Sequence, residues 1–308
     1  MKDGGIRLVI VQGPTASGKS ALAMQLAERL DGEIVNADSM QVYRGMDIGT
    51  AKPTPQERAR VPHHLYDLVT PDVNFTAADF RDHASRVIEE IQRRNKRIIL
   101  VGGTGLYIRI LTRGLADSPG GNQDIREDLE ARADRDGLAA LHQRLAEVDP
   151  VSAARLHPND RLRVVRALEV FLMTGRPLSA FQDEHRFADE LYCCLKIGIN
   201  MERELLYRRV EERVDKMMAE GLVAEVAGLL AAGYNADLKA MSSIGYKEIC
   251  AHLAGEYSLD EAVRLIKRST RQYAKRQMTW CRRDSEIIWV EYPVKFDSIL
   301  NTVMEFYH

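Results

Sequence analysis

Short, mostly apolar runs alternate along this chain with longer stretches that place an apolar residue every three or four positions. Leu8-Val9-Ile10-Val11, Glu33-Ile34-Val35-Asn36-Ala37, Arg97-Ile98-Ile99-Leu100-Val101, 191–199 and Ile287-Ile288-Trp289-Val290 are of the first kind. Apolar on both alternate sets of positions, such runs fit strands buried on both faces of a parallel sheet. The helical period fills much of the space between them. It predicts helices over 19–30, 75–95 (with Thr76 as the cap), 203–220 and 223–230, and another from Glu261 capped by Asp260. Phe80, Ala84, Val87, Ile88 and Ile91 make one stripe; Leu206, Val210, Val214 and Met217 make another. Strands alternating with helices predict an α/β fold, a parallel sheet core flanked by helices.

The pattern changes in the middle. Asp117 to Gln123 holds Pro119, Gly120 and Gly121 and reads as a junction. From 124 to 185 the chain is heavily charged, helical in period and free of strand runs, with its clearest helices over Ala133–Ala146 and Asn159–Thr174. Strand character returns at Leu191. A helical block between two α/β segments predicts an all-α insertion at 119–185 in a core made of 1–118 and 186–308.

Composition narrows the classes. With 308 residues, 29% charged and 45% hydrophobic, the chain is an ordinary globular one. Its net charge of −2 means that any nucleic-acid affinity must come from a local patch. The four cysteines, Cys193, Cys194, Cys250 and Cys281, form no C-x-x-C pair, which predicts a reduced, cytoplasmic setting. No apolar run has the length of a membrane span, and nothing demands a partner chain, so a monomer without a membrane is expected. The neighbouring His63 and His64 lack a convincing third ligand and read as structural or substrate-loop residues.

Three stretches carry chemistry. Gly13-Pro14-Thr15-Ala16-Ser17-Gly18-Lys19-Ser20 follows the first strand and opens the first helix. That order is a phosphate cradle: glycines turn backbone N–H groups inward, the helix adds its positive end, Lys19 supplies charge and the Ser20 hydroxyl can hold Mg²⁺. The core is therefore expected to be P-loop NTPase-like. Asp38, after the second strand, and the turn Gly102-Gly103-Thr104-Gly105, after the Arg97 strand, fall at the same carboxyl edge of the sheet, where α/β folds bind ligands. Thr104 is expected to contact substrate. Far down the chain, Arg264, Lys267, Arg268, Arg271, Lys275, Arg276, Arg282 and Arg283 occur with no acidic residue from 264 to 283. Arg264, Arg268, Arg271, Lys275 and Arg282 share one helical face, which suits nucleic-acid phosphates better than a solvated surface. A P-loop kinase of a small metabolite or nucleoside shares the cradle but leaves this stripe unexplained.

Taken together, these residues resemble the bacterial tRNA dimethylallyltransferases, from Gly13 to Arg283. The resemblance rests on the Gly13–Ser20 loop and Asp38-Ser39-Met40-Gln41-Val42-Tyr43-Arg44-Gly45-Met46-Asp47-Ile48-Gly49-Thr50-Ala51-Lys52-Pro53. It also rests on His63-His64-Leu65, Gly102–Tyr107, Ile244-Gly245-Tyr246-Lys247-Glu248 and Thr270–Trp280. Cys281 stands where the family commonly has Phe, and Arg161–Arg166 is looser than its usual form. The resemblance implies that Gly13, Thr15, Ala16, Ser17, Gly18, Lys19 and Ser20 hold the diphosphate of dimethylallyl diphosphate rather than ATP. The dimethylallyl group would then pass to N6 of adenosine 37, beside the tRNA anticodon. It implies catalytic roles for Asp38 as the base that takes the amine proton, for Thr104, and for Arg213 with Mg²⁺ near Ser20 in stabilising leaving-group charge. The anticodon stem-loop would meet Asp38, Ser39, Met40, Gln41, Thr104, Arg126, Arg163, Arg166, Gly245, Lys247, Arg271, Lys275, Arg276 and Arg282.

Overall fold

The computed structural model describes residues 5–115, 118–185 and 191–308. The chain forms two compact units, one of Met1–Thr112 with Leu191–His308 and one of Arg113–Glu190. In chain order the first unit begins β1 (Arg7–Gln12), α1 (Lys19–Leu30), β2 (Gly32–Asn36), α2 (Pro55–Arg60), β3 (His63–His64), α3 (Ala77–Arg93), β4 (Arg97–Gly102) and α4 (Gly105–Arg113). The second unit contains α5 (Gln123–Asp136), α6 (Leu138–Val148), α7 (Pro150–Arg155), α8 (Arg161–Thr174) and α9 (Leu178–His185). The first unit then resumes with β5 (Cys193–Asn200), α10 (Arg203–Ala219), α11 (Leu222–Ala231), α12 (Tyr246–Leu253), α13 (Leu259–Cys281), β6 (Ile287–Glu291) and α14 (Phe296–Tyr307).

All strand pairs are parallel, and the six-stranded sheet runs β3-β2-β4-β1-β5-β6. The fold is the α/β class read from the apolar runs. Alternation along each strand feeds two cores. Leu8, Ile10, Ile98 and Leu100 bury against α3 and α10–α13, while Val9, Val11, Ile99 and Val101 bury against α1 and α14. Because β2, β4 and β1 are neighbours, the segments leaving their carboxyl ends emerge side by side. That order brings Asp38, the 102–105 turn and the glycine loop to one edge.

The helical unit has its own core of Leu129, Leu141, Leu145, Val164 and Leu168. The fully buried Asp149 carboxylate joins two of its helices. It accepts from the Ser152 N–H (2.9 Å) and hydroxyl (2.7 Å) at the start of α7, and from the Ser179 N–H (3.0 Å) and hydroxyl (2.7 Å) in α9.

Several element readings need correcting. The single helix expected over Ala133–Ala146 is broken at Gly137 (φ 86°, ψ 149°), a backbone state outside the helical region, which splits it into α5 and α6. Ser258 rather than Asp260 caps α13, two residues earlier than expected; its side chain accepts from the Glu261 N–H at 3.2 Å. The terminal helix α14 lies in no stretch singled out from the sequence, and β6 is an edge strand with Ile288 exposed. Asp117, where the junction reading starts, and residues 186–190, where the core was expected to resume, lie outside the described residues. Among the described residues no helix is long and apolar enough to cross a membrane.

Candidate active site

The glycine loop is held by residues from far along the chain. Gly18 caps α1 with a left-handed backbone (φ 94°), the geometry that glycine adopts most cheaply. The Ala16 carbonyl accepts from Arg209 Nε of α10 (2.9 Å), and the same guanidinium donates to the Tyr292 hydroxyl (2.8 Å). The Thr15 N–H donates to Gln277 Oε1 of α13 (2.8 Å). Lys19 Nζ rests on the Pro14 carbonyl (3.3 Å), and the Ser17 N–H turns back to the same oxygen (3.3 Å). The Ser17 side chain is fully buried beside Gly13, where a Cβ would stand 3.0 Å from its Oγ. Thr15, Lys19 and Ser20 instead face open space.

That space is a pair of cavities with a common wall. The smaller, about 110 Å³, is lined by Thr15, Lys19, Ser20, Asp38, Gln41 and Arg213. The larger, about 340 Å³, is lined by Thr15, Asp38, Ser39, Met40, Tyr273 and Arg276, with Val214, Met217, Tyr246 and Ile266 supplying apolar surface. Thr15, Asp38 and Arg213 belong to both. One cavity thus offers cations and a helix N-terminus, and the other a mainly apolar pocket that also carries polar groups.

Asp38 stands at the junction in a fixed turn. Its Oδ1 accepts from the Met40 N–H (2.9 Å), and its own N–H donates to Asn36 Oδ1 (2.9 Å). Thr104 locks the neighbouring segment. Its N–H donates to the Ala37 carbonyl (3.2 Å), and its hydroxyl oxygen accepts from the Ser39 N–H (3.0 Å). Burial and the nearby Arg213 push the Lys19 ammonium down to about 8, partly offset by the charge of Asp38. Burial likewise lowers the Arg213 guanidinium, against the opposing pull of Asp38, and Arg213 Nη2 reaches the Thr50 carbonyl at 3.4 Å. The Tyr273 hydroxyl is pushed up first by burial and then by Asp38, with the charge of Arg276 and hydrogen bonds to Thr104 and Gln277 acting the other way.

The 102–105 turn uses its glycines for close approach. A Cβ at Gly102 would lie 2.2 Å from the Ala37 carbonyl oxygen, at Gly103 2.1 Å from Gln277 Nε2, and at Gly105 1.9 Å from Trp280 Nε1. Helix α13 therefore lies directly on the turn that carries Thr104. A second support comes from Glu225 of α11. Its carboxylate accepts from the N–H groups of Asp47 (2.9 Å), Ile48 (2.7 Å) and Gly49 (3.1 Å), and from the Tyr246 hydroxyl (2.6 Å). That fixes the loop whose Thr50 carbonyl meets Arg213. Sequence reading gave Gln277, Glu225 and Tyr246 no site role. A neutral amide inside a run of cations, at the spacing of buried Ala274 and Cys281, was the one available signal for Gln277.

An IPP transferase family model matches residues 41–284, and a tRNA dimethylallyltransferase of Geobacter metallireducens is 79% identical over 302 residues, 98% of each chain. The chain belongs to the IPP transferase family. A tRNA dimethylallyltransferase of Geobacter sulfurreducens is 68% identical over 301 residues, 98% of this chain and 97% of that protein. Among solved structures, the tRNA isopentenylpyrophosphate transferase of Bacillus halodurans is 41% identical, covers 98% of this chain and 96% of its own, and superposes with a TM-score of 0.72. A eukaryotic dimethylallyltransferase acting on tRNA reaches 0.78 at 29% identity, covering 92% of this chain and 73% of its own.

Against the family's RNA substrate, the basic residues divide into two groups. On α13, Arg271 pairs with Glu211 and Lys267 with Asp215 (2.6 Å), both carboxylates coming from α10, while Arg264 pairs with Glu261. The stripe is free of acids in sequence and partly neutralised in space. Among the described residues Lys275, Arg276 and Arg282 have no carboxylate partner, and Arg276 lies 5.7 Å from the Tyr273 ring centre. In the helical unit, Arg126 (3.0 Å) and Arg166 (2.7 Å) close on the buried carboxylate of Glu169, and Arg166 also reaches the Pro119 carbonyl. Arg163 is exposed and pairs with Asp160, the residue that caps α8 (2.6 Å). Gly245 lines the larger cavity and donates its N–H to Glu248 (2.8 Å), whereas Lys247 is exposed.

Among the described residues no group of three or more His, Cys, Asp and Glu side chains could hold a metal ion. The Ser20 hydroxyl and the Asp38 carboxylate do line one cavity together. Two hard oxygen donors fit an ion such as Mg²⁺ that takes its other ligands from a diphosphate and water.

Proposed function

We propose that the protein transfers a dimethylallyl group from dimethylallyl diphosphate to N6 of adenosine 37, beside the tRNA anticodon, and releases pyrophosphate. The observation that carries this is the common wall of the two cavities. A cationic chamber suited to a diphosphate meets an apolar chamber able to admit a flipped purine, and Asp38 stands between them.

In this reading the N6 lone pair attacks the allylic carbon while the carbon–oxygen bond to the diphosphate breaks. Negative charge grows on the leaving oxygens, where Lys19, Arg213 and the N–H groups of the loop and of α1 lie ready. Ser20 would hold a Mg²⁺ ion at this end of the site, and that ion would supply further positive charge to the leaving group. An adenine amine is a weak nucleophile because its lone pair is delocalised into the ring. Asp38 takes its proton as the new bond forms, and Thr104 holds Asp38's segment in register. Ser39, Met40 and Gln41 line the route of the base, while Lys275, Arg276, Arg282 and the exposed Arg163 of the helical unit receive RNA phosphates. The protein works in the cytoplasm as a monomer.

Incubation of the protein with unmodified anticodon stem-loop RNA, dimethylallyl diphosphate and Mg²⁺, followed by nucleoside mass spectrometry, tests the assignment. One adenosine should gain a dimethylallyl group. No gain, or phosphate transfer from ATP in its place, overturns it.

A further inference from the structure

The reaction needs two turns from neighbouring strands at a fixed separation. One follows β1 and holds the leaving group; the other follows β4 and positions Thr104 beside Asp38's segment. The ladder between β1 and β4 ends at the pair Gln12 and Gly102, so the reacting parts of both turns lie beyond its last rung. One side chain hydrogen-bonds to both of them. Gln277 of α13, 5% exposed, accepts from the Thr15 N–H through Oε1 (2.8 Å) and donates through Nε2 to the Gly103 carbonyl (3.0 Å). The fit leaves no slack, since a Cβ on Gly103 would stand 2.1 Å from Nε2. Both anchors matter chemically: Thr15 lines both cavities, and Gly103 immediately precedes Thr104.

We infer that Gln277 is a positioning residue that sets the distance between the diphosphate loop and the base-side turn, and so the alignment of leaving group, allylic carbon and N6. It touches neither reacting group. The inference rests on the prenyl-transfer reading above. An amide suits the task for a stated reason. The bridge needs an acceptor at one end and a donor at the other, and a neutral side chain, since a charge would disturb Lys19 and Asp38. A carboxylate supplies only acceptors and would repel the Gly103 carbonyl. A protonated carboxyl restores one donor in almost the same shape.

That difference supplies the test. The unsubstituted protein, Gln277→Glu and Gln277→Met are assayed with stem-loop RNA and dimethylallyl diphosphate from about pH 6 to about pH 8.5, each rate being divided by that of the unsubstituted protein at the same pH. At the alkaline end Gln277→Glu should lose roughly tenfold to a hundredfold in kcat, the scale of a slightly misplaced reacting pair, with RNA affinity within about threefold. As pH falls and the introduced carboxyl takes up its proton, the ratio should climb back towards one. Gln277→Met, which fills the space without either hydrogen bond, should lose kcat to a similar degree with a ratio flat in pH. Full kcat in Gln277→Glu at the alkaline end, or full kcat in Gln277→Met, overturns the inference. If Gln277→Glu gives no cooperative melt, the kcat and RNA affinity of Gln277→Met decide alone. Absence of product with the unsubstituted protein would instead count against the prenyl-transfer reading.

Discussion

Asp38 has the placement that a proton acceptor needs: a carboxylate at the meeting point of a cationic and an apolar chamber, its backbone fixed by Asn36 and its Oδ1 by the Met40 N–H. Replacing it by Ala removes the acceptor and leaves the phosphate cradle. Single-turnover rates should fall about 10²–10⁴-fold while gel-shift affinity for stem-loop RNA stays within about threefold; near-normal rates would remove Asp38 from the proton step. Lys19 leads to a pH prediction. Its ammonium sits low, at about 8, because burial and Arg213 disfavour the charge. In the free protein it therefore loses its proton as pH rises through that value, and with it part of its hold on a diphosphate. The KM for dimethylallyl diphosphate should rise on the alkaline side of pH 8 and stay level below it, and a KM constant into alkaline solution would contradict this. Asp38 and Lys19 were legible in the sequence because each is fixed by short-range order: a loop between a strand and a helix, or the residues just past a strand. Gln277 was not, because its partners lie 262 and 174 positions away.

At the scale of the element, α13 shows where counting charges stops being informative. The absence of acids between 264 and 283 holds along the chain, yet α10 brings Glu211 and Asp215 to Arg271 and Lys267. A cation already paired releases little of the RNA's counterion atmosphere. Lys275→Ala and Arg282→Ala should each weaken RNA binding and reduce the slope of log affinity against log salt by about 0.7–0.9, whereas Arg271→Ala should change the slope much less. Titrations at several salt concentrations separate these outcomes; equal effects from all three would mean that RNA displaces Glu211. Arg126 and Arg166 raise the same issue in the helical unit, since both face Glu169. Elsewhere in that unit, one acid does the work of two caps. Asp149→Ala deletes four hydrogen bonds to a buried carboxylate and should cost about 3 kcal/mol by chemical denaturation. Burial raises the Asp149 pKa, but the hydrogen bonds from Ser152 and Ser179 outweigh it and hold the carboxyl below its ordinary 3.8. Its contribution is thus complete above that value and lost as pH falls through the lower, folded value.

Over the whole molecule, two units that each bury apolar residues of their own imply two separately felt stabilities. Leu145 is fully buried within the helical unit's own cluster. Leu145→Ala should destabilise by about 2–5 kcal/mol, and native-state hydrogen exchange should show the loss in α5–α9 with little change in β1, β4 and β5. Uniform acceleration across both units would instead mean that they unfold as one. The sequence by itself determined the α/β class, the glycine loop between β1 and α1, the carboxyl-edge position of Asp38 and Thr104, and the family, because each depends on periodicity or on residues close together in the chain. It also marked the helical stretch in the middle. Only the tertiary structure decided that β4 lies between β2 and β1, which brings Asp38, Thr104 and the loop together. It alone decided which cations are already paired and that Gln277 bridges the two turns. Those outcomes depend on contacts between segments far apart in sequence, and the packing of whole helices against the sheet sets which of them meet.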